Sequence, residues 1–542
     1  MQELLKEHLG EIALLIYIFY PLLKRWWNRV RKPKGGEEQQ PKKAKSKRKR
    51  ARPATVSRKA ARRERKRPEK GSSAPPVAKR PAGADFLDAG LSQLKRTKKE
   101  ANALLARAQA DPRLARFVPA VKEDLLARLA LIERSLRSNP PLSTIVQDTT
   151  ALRGLDALVG NLTTMARQRT LGRSSFLTEA DAMADSYYAP LIEFARAQGL
   201  DLNSSTPVAM SGDWDLSIVP RFASTRLAPL RLPVGFEHSL WRWPAIAHEV
   251  AHDFYYSLDG FAPSLHARLG LPRQVELPVS SAEVDGAWIR GLFGAWLAET
   301  FADVMGTVMV GPAYVETMRR AFRNPGSPQQ TAAILQDRNL MDEHPPARLR
   351  LFMGTRVLHQ LGRHEEADEL WERWEGEHHD VQLYYLPLGG RWVGISDDAL
   401  HSIASSIIDE LILRAWPELE GFHLLNIPGL AYLHAEHAEV ERTSVELARG
   451  VAVDAEVRWV VAAAVLAAAA QPALHDQILE TARRSIEGMG EPDVTPTPGK
   501  RARQPSGTIA QTLVASLKEA DAIEEAIVLG AALTPYRAPR WH

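Results

Sequence analysis

Trp243-Pro244-Ala245-Ile246-Ala247-His248-Glu249-Val250-Ala251-His252-Asp253 is the run from which the rest of this chain is best read. As a helix it stacks His248 and His252, four residues apart, on one face. Both imidazoles then reach a single metal ion, and Glu249 projects beside them toward a water in an open coordination position. Neutral imidazole suits zinc, which lowers the pKa of a bound water to roughly 7. A neighbouring carboxylate can take that proton and pass it to a leaving group. Pro244 is tolerated only in a first turn, so the helix is predicted to start near Arg242 to Pro244. Ala245, Ile246, Ala247, Val250 and Ala251 supply the face that packs it into a core.

Two histidines need a third ligand. An apolar helical run is predicted from about Ala287 to Val310, and it contains Ala298-Glu299-Thr300-Phe301-Ala302-Asp303. Glu299 and Asp303 are again four apart, on one face of an otherwise buried helix, where an unpaired charge is costly. A metal explains Glu299, and a hydrogen bond to the free ring nitrogen of His248 explains Asp303. The alternatives are a solvent-facing helix or salt bridges to Arg290 or Arg319.

His-Glu-x-x-His on a helix is a metalloprotease signature. With Glu299-x-x-Ala302-Asp303 after it, the chain resembles the gluzincin metallopeptidases, whose third zinc ligand is a glutamate. His344-Pro345-Pro346-Ala347-Arg348-Leu349-Arg350 is similar to a His-Pro-Pro-x-x-x-Arg segment of the heat-shock and CAAX-prenyl zinc peptidases. The resemblance covers roughly residues 220–355. It implies a zincin-like metallopeptidase core with zinc on His248, His252 and Glu299, and Glu249 as general base. It further implies that His344 and Arg350 stabilise the oxyanion; Tyr314 is a further candidate for that role, outside the resemblance. The spacing between the two helices is shorter than expected of the heat-shock and CAAX-prenyl group, and that group's several membrane spans are missing.

At 542 residues and 45% hydrophobic, the chain is long enough for two to four domains with a sizeable core. It has no cysteine, which excludes disulfides and thiolate metal sites. Between Lys24 and Arg80, 24 basic residues face 4 acidic ones, so the overall charge of +5 hides an acidic remainder.

Residues 1–27 carry an apolar run from Ile12 to Leu23 followed by Lys24-Arg25-Trp26-Trp27. A crossing wants ~20 apolar residues, and this run approaches it if the flanking residues occupy the interfaces. The expectation is a single span with the catalytic part cytoplasmic; an in-plane amphipathic anchor is the alternative. Residues 28–85 read as a disordered basic linker, suited to anionic lipid or to a solvated tether. Nucleic-acid binding is disfavoured, since no aromatic residue interrupts the linker.

Beyond it the expected fold is mainly α with a small β-sheet (α+β). Residues 86–204 read as a helical domain, with leucine stripes at Leu87–Leu94, Leu125–Leu136 and Leu152–Leu162, and a break at Asn139-Pro140-Pro141. Residues 205–360 form the zincin-like core and open on three extended pieces, near 207–210, 216–219 and 230–234. Pro229 and Pro233 suggest that the last is an edge strand, which in zincins pairs with the substrate backbone. Residues 361–488 are helical with a hairpin near 383–395 around Gly389-Gly390, and Val460–Ala470 reads as a buried helix. A linker at 489–508 and a terminal helix at 509–542 complete the chain. His378-His379-Asp380 reads as a surface loop, and His434 with His437 lacks a third ligand.

The expected function is therefore zinc-dependent hydrolysis of a protein or peptide substrate. The competing reading is a scaffold that keeps a zincin-like core and binds partners through its helical flanks.

Overall fold

The computed structural model describes residues 84–487, apart from 139, 171–173, 201, 203–205, 214–215, 219–226, 274, 276–277, 279–283, 324–333, 336–339, 342–343, 379–382 and 389–390. The expectations for 1–27, 489–508 and 509–542 lie outside the described residues, as does that for the linker 28–85 except its last two residues, Ala84 and Asp85, which begin a helix.

Helices dominate. α1 (Ala84–Ala110), α2 (Leu126–Arg137) and α3 (Leu142–Thr170) carry the leucine stripes read from the sequence. Leu94, Leu104, Leu129, Leu136, Leu152 and Leu158 interlock in one core that reaches Val208 and Leu227. α4 (Ser174–Gln198) joins a second and larger core through Leu177, Tyr187, Tyr188 and Leu191. The packing boundary thus falls between α3 and α4. Buried Arg169 bridges it, donating to the carbonyl of Ala209 at 2.8 Å and to Asp181 at 2.6 Å.

The small sheet is β1 (Val208–Asp213), β2 (Ser217–Ile218) and β3 (Pro229–Pro233), in the order β1-β3-β2. β3 runs parallel to β1 and antiparallel to β2, pairing Leu230 with both Ala209 and Ile218. The edge-strand expectation for β3 is corrected: it is the central strand, and β2 is an edge. Its prolines are its first and last residues, where a missing N–H costs least.

The large core continues through α5 (Ile246–Ser257), α6 (Phe261–Leu269), α7 (Gly286–Ala295), α8 (Leu297–Val310) and α9 (Pro312–Phe322). A short ladder pairs β4 (Ile334–Leu335) with β5 (Leu340–Met341). Then come α10 (Ala347–Gln360), α11 (His364–Glu377), the hairpin β6 (Leu383–Leu388) and β7 (Arg391–Ser396), and α12 (Asp397–Leu413). The hairpin expected near 383–395 is present, its register running from Leu383↔Ser396 to Leu388↔Arg391. α13 (His434–Ala448), α14 (Val457–Ala470) and α15 (His475–Ile486) close the core, with Val460 to Val465 of α14 fully buried.

Among the described residues no helix is long and apolar enough to cross a membrane. This overturns the single-pass, membrane-anchored localisation as a structural statement. α14 reaches only 14 residues, short of the ~20 that a crossing wants, and the stretch 1–27 on which the expectation rested is not among the described residues.

Candidate metal centre

The site is built where α5 lies against α8. Pro244 sits in a 3₁₀ turn, Leu240–Ala245, that feeds directly into α5, so the α-helix starts two residues later than the proline alone implied. Trp243 pins this turn: it is buried and its indole N–H donates to the Phe236 carbonyl. Ile246, Ala247, Val250, Ala251 and Phe254 bury the far side of α5, which leaves His248 and His252 on the face toward α8.

The apolar run expected to be continuous from Ala287 to Val310 is two helices that turn at Trp296. Gly294 lies so close to the loop before α7 that a Cβ there would stand 1.7 Å from the Pro272 carbonyl oxygen. α7 ends against that loop, and α8 restarts with Glu299 in its first turn and Asp303 one turn on, both buried.

The three expected ligands converge. His248 Nε2 and His252 Nε2 are 3.0 Å apart. Glu299 places Oε2 3.3 Å from the first and Oε1 3.1 Å from the second. Tetrahedral zinc ligands at about 2.0–2.1 Å from the ion stand roughly 3.3 Å from one another. Among the described residues this is the one group of histidine and carboxylate donors with the spacing to hold a metal ion.

The donor chemistry fits a cation. Nδ1 of His248 lies 3.0 Å from Asp303 Oδ1 and donates to it, so Nε2 is the nitrogen turned to His252 and Glu299, where a proton or a cation can sit. Lone-pair atoms facing one another at about 3 Å repel unless positive charge sits among them. Glu299 Oε2 is buried without a hydrogen-bond partner. Burial alone would lower the pKa of His248, but the carboxylates of Glu299 and Asp303 outweigh it and push it up to about 10. The field that draws a proton here also draws a metal ion. Burial likewise works against charge on Glu299, yet His344, His252 and His248 hold its carboxyl well below the usual range.

Glu249 lies on α5 between the two histidines and is buried. Burial pushes its carboxyl up, against the pull of His248 and His252, and the Ile218 backbone N–H of edge strand β2 hydrogen-bonds it. His344 stands just before α10, its side chain half exposed, with Nε2 3.6 Å from Glu299 Oε1.

Arg350 and Tyr314 are both engaged with Asp303 and not free for the expected oxyanion role. Arg350 donates from Nε to Asp303 Oδ2 at 2.7 Å and from Nη2 to Oδ1 at 2.8 Å, and lies 3.7 Å from Glu299. The Tyr314 hydroxyl donates to Asp303 Oδ1 at 2.7 Å and lies 3.1 Å from His248 Nδ1. Nδ1 is the ring nitrogen turned away from the ligand cluster, so Tyr314 stands behind the histidine and cannot meet an oxyanion in front of it. Burial raises the charge cost for Asp303, but Arg350 and the His248 hydrogen bond keep its carboxyl ionised, well below the usual range. The alternative salt bridges do not form: Arg319 pairs with Glu316 and Glu377, and Arg290 approaches Glu410.

The sequence did not reveal that Ile218 meets Glu249, or that Tyr314 meets His248 from the Asp303 side. A usable signal was Gly311-Pro312, a helix stop followed by a helix start, which folds α9 back along α8.

Two of the other candidate histidines have structural partners. His378 stacks on Trp374, and His379 and Asp380 lie outside the described residues. His437 is held by the Tyr432 hydroxyl and by Glu441.

No family model, curated protein or solved structure matches this chain.

Proposed function

We propose that the chain is a zinc-dependent peptidase of the gluzincin kind, with a zincin-like core around α5, α8 and the three-stranded sheet. The supporting observation is the convergence of His248, His252 and Glu299, backed by Asp303 on the far nitrogen of His248. Two imidazoles and one carboxylate with an open fourth position are the donor set of catalytic zinc. Zinc bound there supplies Lewis acidity and a water whose pKa falls to about 7.

The chain's residues supply the rest. Glu249 accepts the proton of the attacking water and returns it to the departing nitrogen. Its raised carboxyl pKa makes it the better base, and Ile218 N–H fixes its direction. His344 lines the open side next to Glu299, where an N–H donor meets the negative charge that develops on the carbonyl oxygen. The substrate backbone, in extended form, adds to the β2 edge. Asp303 and Arg350 hold the ligands and do not touch substrate. A partner-binding scaffold has no use for the carboxylate of Glu249 beside the ligand cluster.

The test is a comparison of cleavage products. A proteome-derived mixture of proteins is incubated with wild-type chain and with Glu249→Gln, and new termini are mapped. Termini made by the wild type alone are expected; identical products from both would reject the mechanism.

A further inference from the structure

We infer that Tyr314 is a positioning residue of the metal centre, seated there by the bare backbone of Gly306, and that its hydroxyl strengthens cation binding by His248, His252 and Glu299. The inference rests on the metal-centre reading above and deepens it.

The geometry begins at the turn between α8 and α9. Gly311 has φ 66° and ψ −142°, in the region that favours glycine, and a Cβ there would stand 2.3 Å from the Tyr432 ring. The reversal sets the first turn of α9 beside α8, and Tyr314 crosses the α8 backbone at Gly306. A Cβ on Gly306 would lie 2.7 Å from Cε2 and Cζ of Tyr314, so any other residue at 306 pushes the phenol away.

In place, the hydroxyl donates to Asp303 Oδ1 and offers its own oxygen to His248 Nδ1. The Nδ1–H therefore faces two oxygens, one from Asp303 and one from Tyr314. This double anchor fixes both the tautomer and the rotation of the ring, and turns Nε2 toward His252 and Glu299. Tyr314 is buried, so its hydroxyl is confined to these two partners. Removing the hydroxyl leaves the Asp303 bond but lets the imidazole swing about it.

Zinc affinity, read by calorimetry in competition with a chelator, tests this on the full chain. Tyr314→Phe should bind zinc roughly ten- to a hundredfold more weakly than wild type, with an unchanged far-ultraviolet circular dichroism spectrum. The visible absorption of the cobalt-loaded variant should shift as well, which lost packing elsewhere would not cause. Gly306→Ala should weaken zinc binding in the Tyr314 protein but add nothing in Tyr314→Phe. Zinc binding by Tyr314→Phe within twofold of wild type would overturn the inference while leaving the metal centre intact. An equal further loss from Gly306→Ala in both backgrounds would overturn the part assigned to Gly306. A wild-type chain that binds no zinc would remove the inference and the metal centre together.

Discussion

Asp303 gathers the charged contacts behind the site on one carboxylate. It is fully buried, and four hydrogen bonds reach it: two from Arg350 and one each from His248 and Tyr314. Burying a charge is tolerable only when it is paired and hydrogen-bonded. Arg350→Met should therefore cost roughly 3–5 kcal/mol, since it strands Asp303 in the core. Urea denaturation of the purified variant measures this, and a loss below about 1 kcal/mol would show that Asp303 does not depend on Arg350. Glu249→Gln should behave in the opposite way. It should keep zinc binding within a few-fold and the wild-type unfolding midpoint, while hydrolysis drops ~10²–10⁴-fold. At this scale His248, His252, Glu299 and Asp303 were legible because spacing of four on a helix leaves little choice of face. The positions of Arg350 and Tyr314 were not, since nothing local to either residue tells which nitrogen of His248 it will meet.

Among the elements, the turn between α7 and α8 sets Glu299 at the start of its own helix. Gly294→Ala adds a Cβ 1.7 Å from a backbone oxygen, so the loop at Pro272 or the helix must move. A destabilisation of about 1–3 kcal/mol is expected from such overpacking, together with weaker zinc binding if α8 shifts with it. Thermal unfolding near the wild-type midpoint would contradict the close packing. A second test concerns the seam of α10, α11 and α12. His401 stacks on Phe352 at 3.7 Å between ring centres, lies edge-on to Trp371, and shares a hydrogen bond with the Tyr384 hydroxyl. Burial outweighs the pull of Asp397 and lowers its pKa to about 4. The unfolded chain binds the proton near 6.5, so the neutral ring contributes stability above that pH, and the contribution fades as pH falls from 6.5 toward 4. His401→Gln should flatten this part of the stability profile; an unchanged slope would exclude His401 as its source. The helices were legible from apolar periodicity. The strand order was not, because three short segments rich in proline and small residues specify no partner. Nor was the break at Trp296, where apolar residues continue on both sides and the stop comes from a distant loop.

For the whole molecule, the architecture sinks the ligands between two helices of the large core. A cation that binds only the folded arrangement should stabilise it by mass action, by about 4 kcal/mol at a thousandfold excess over its dissociation constant. Stripping the metal with a chelator should lower the unfolding midpoint, and added zinc should restore it. The overall balance of helix over strand was readable from hydrophobic spacing, whereas the two-core packing, with α4 given to the larger core, depends on long-range contacts that no local pattern encodes. The decisive measurement is the metal content of the purified 542-residue chain, dialysed against zinc and read by elemental mass spectrometry. One tightly held zinc per chain is expected, lost in His252→Ala and in Glu299→Ala. A folded wild-type chain that retains no divalent metal would contradict the proposed zinc site.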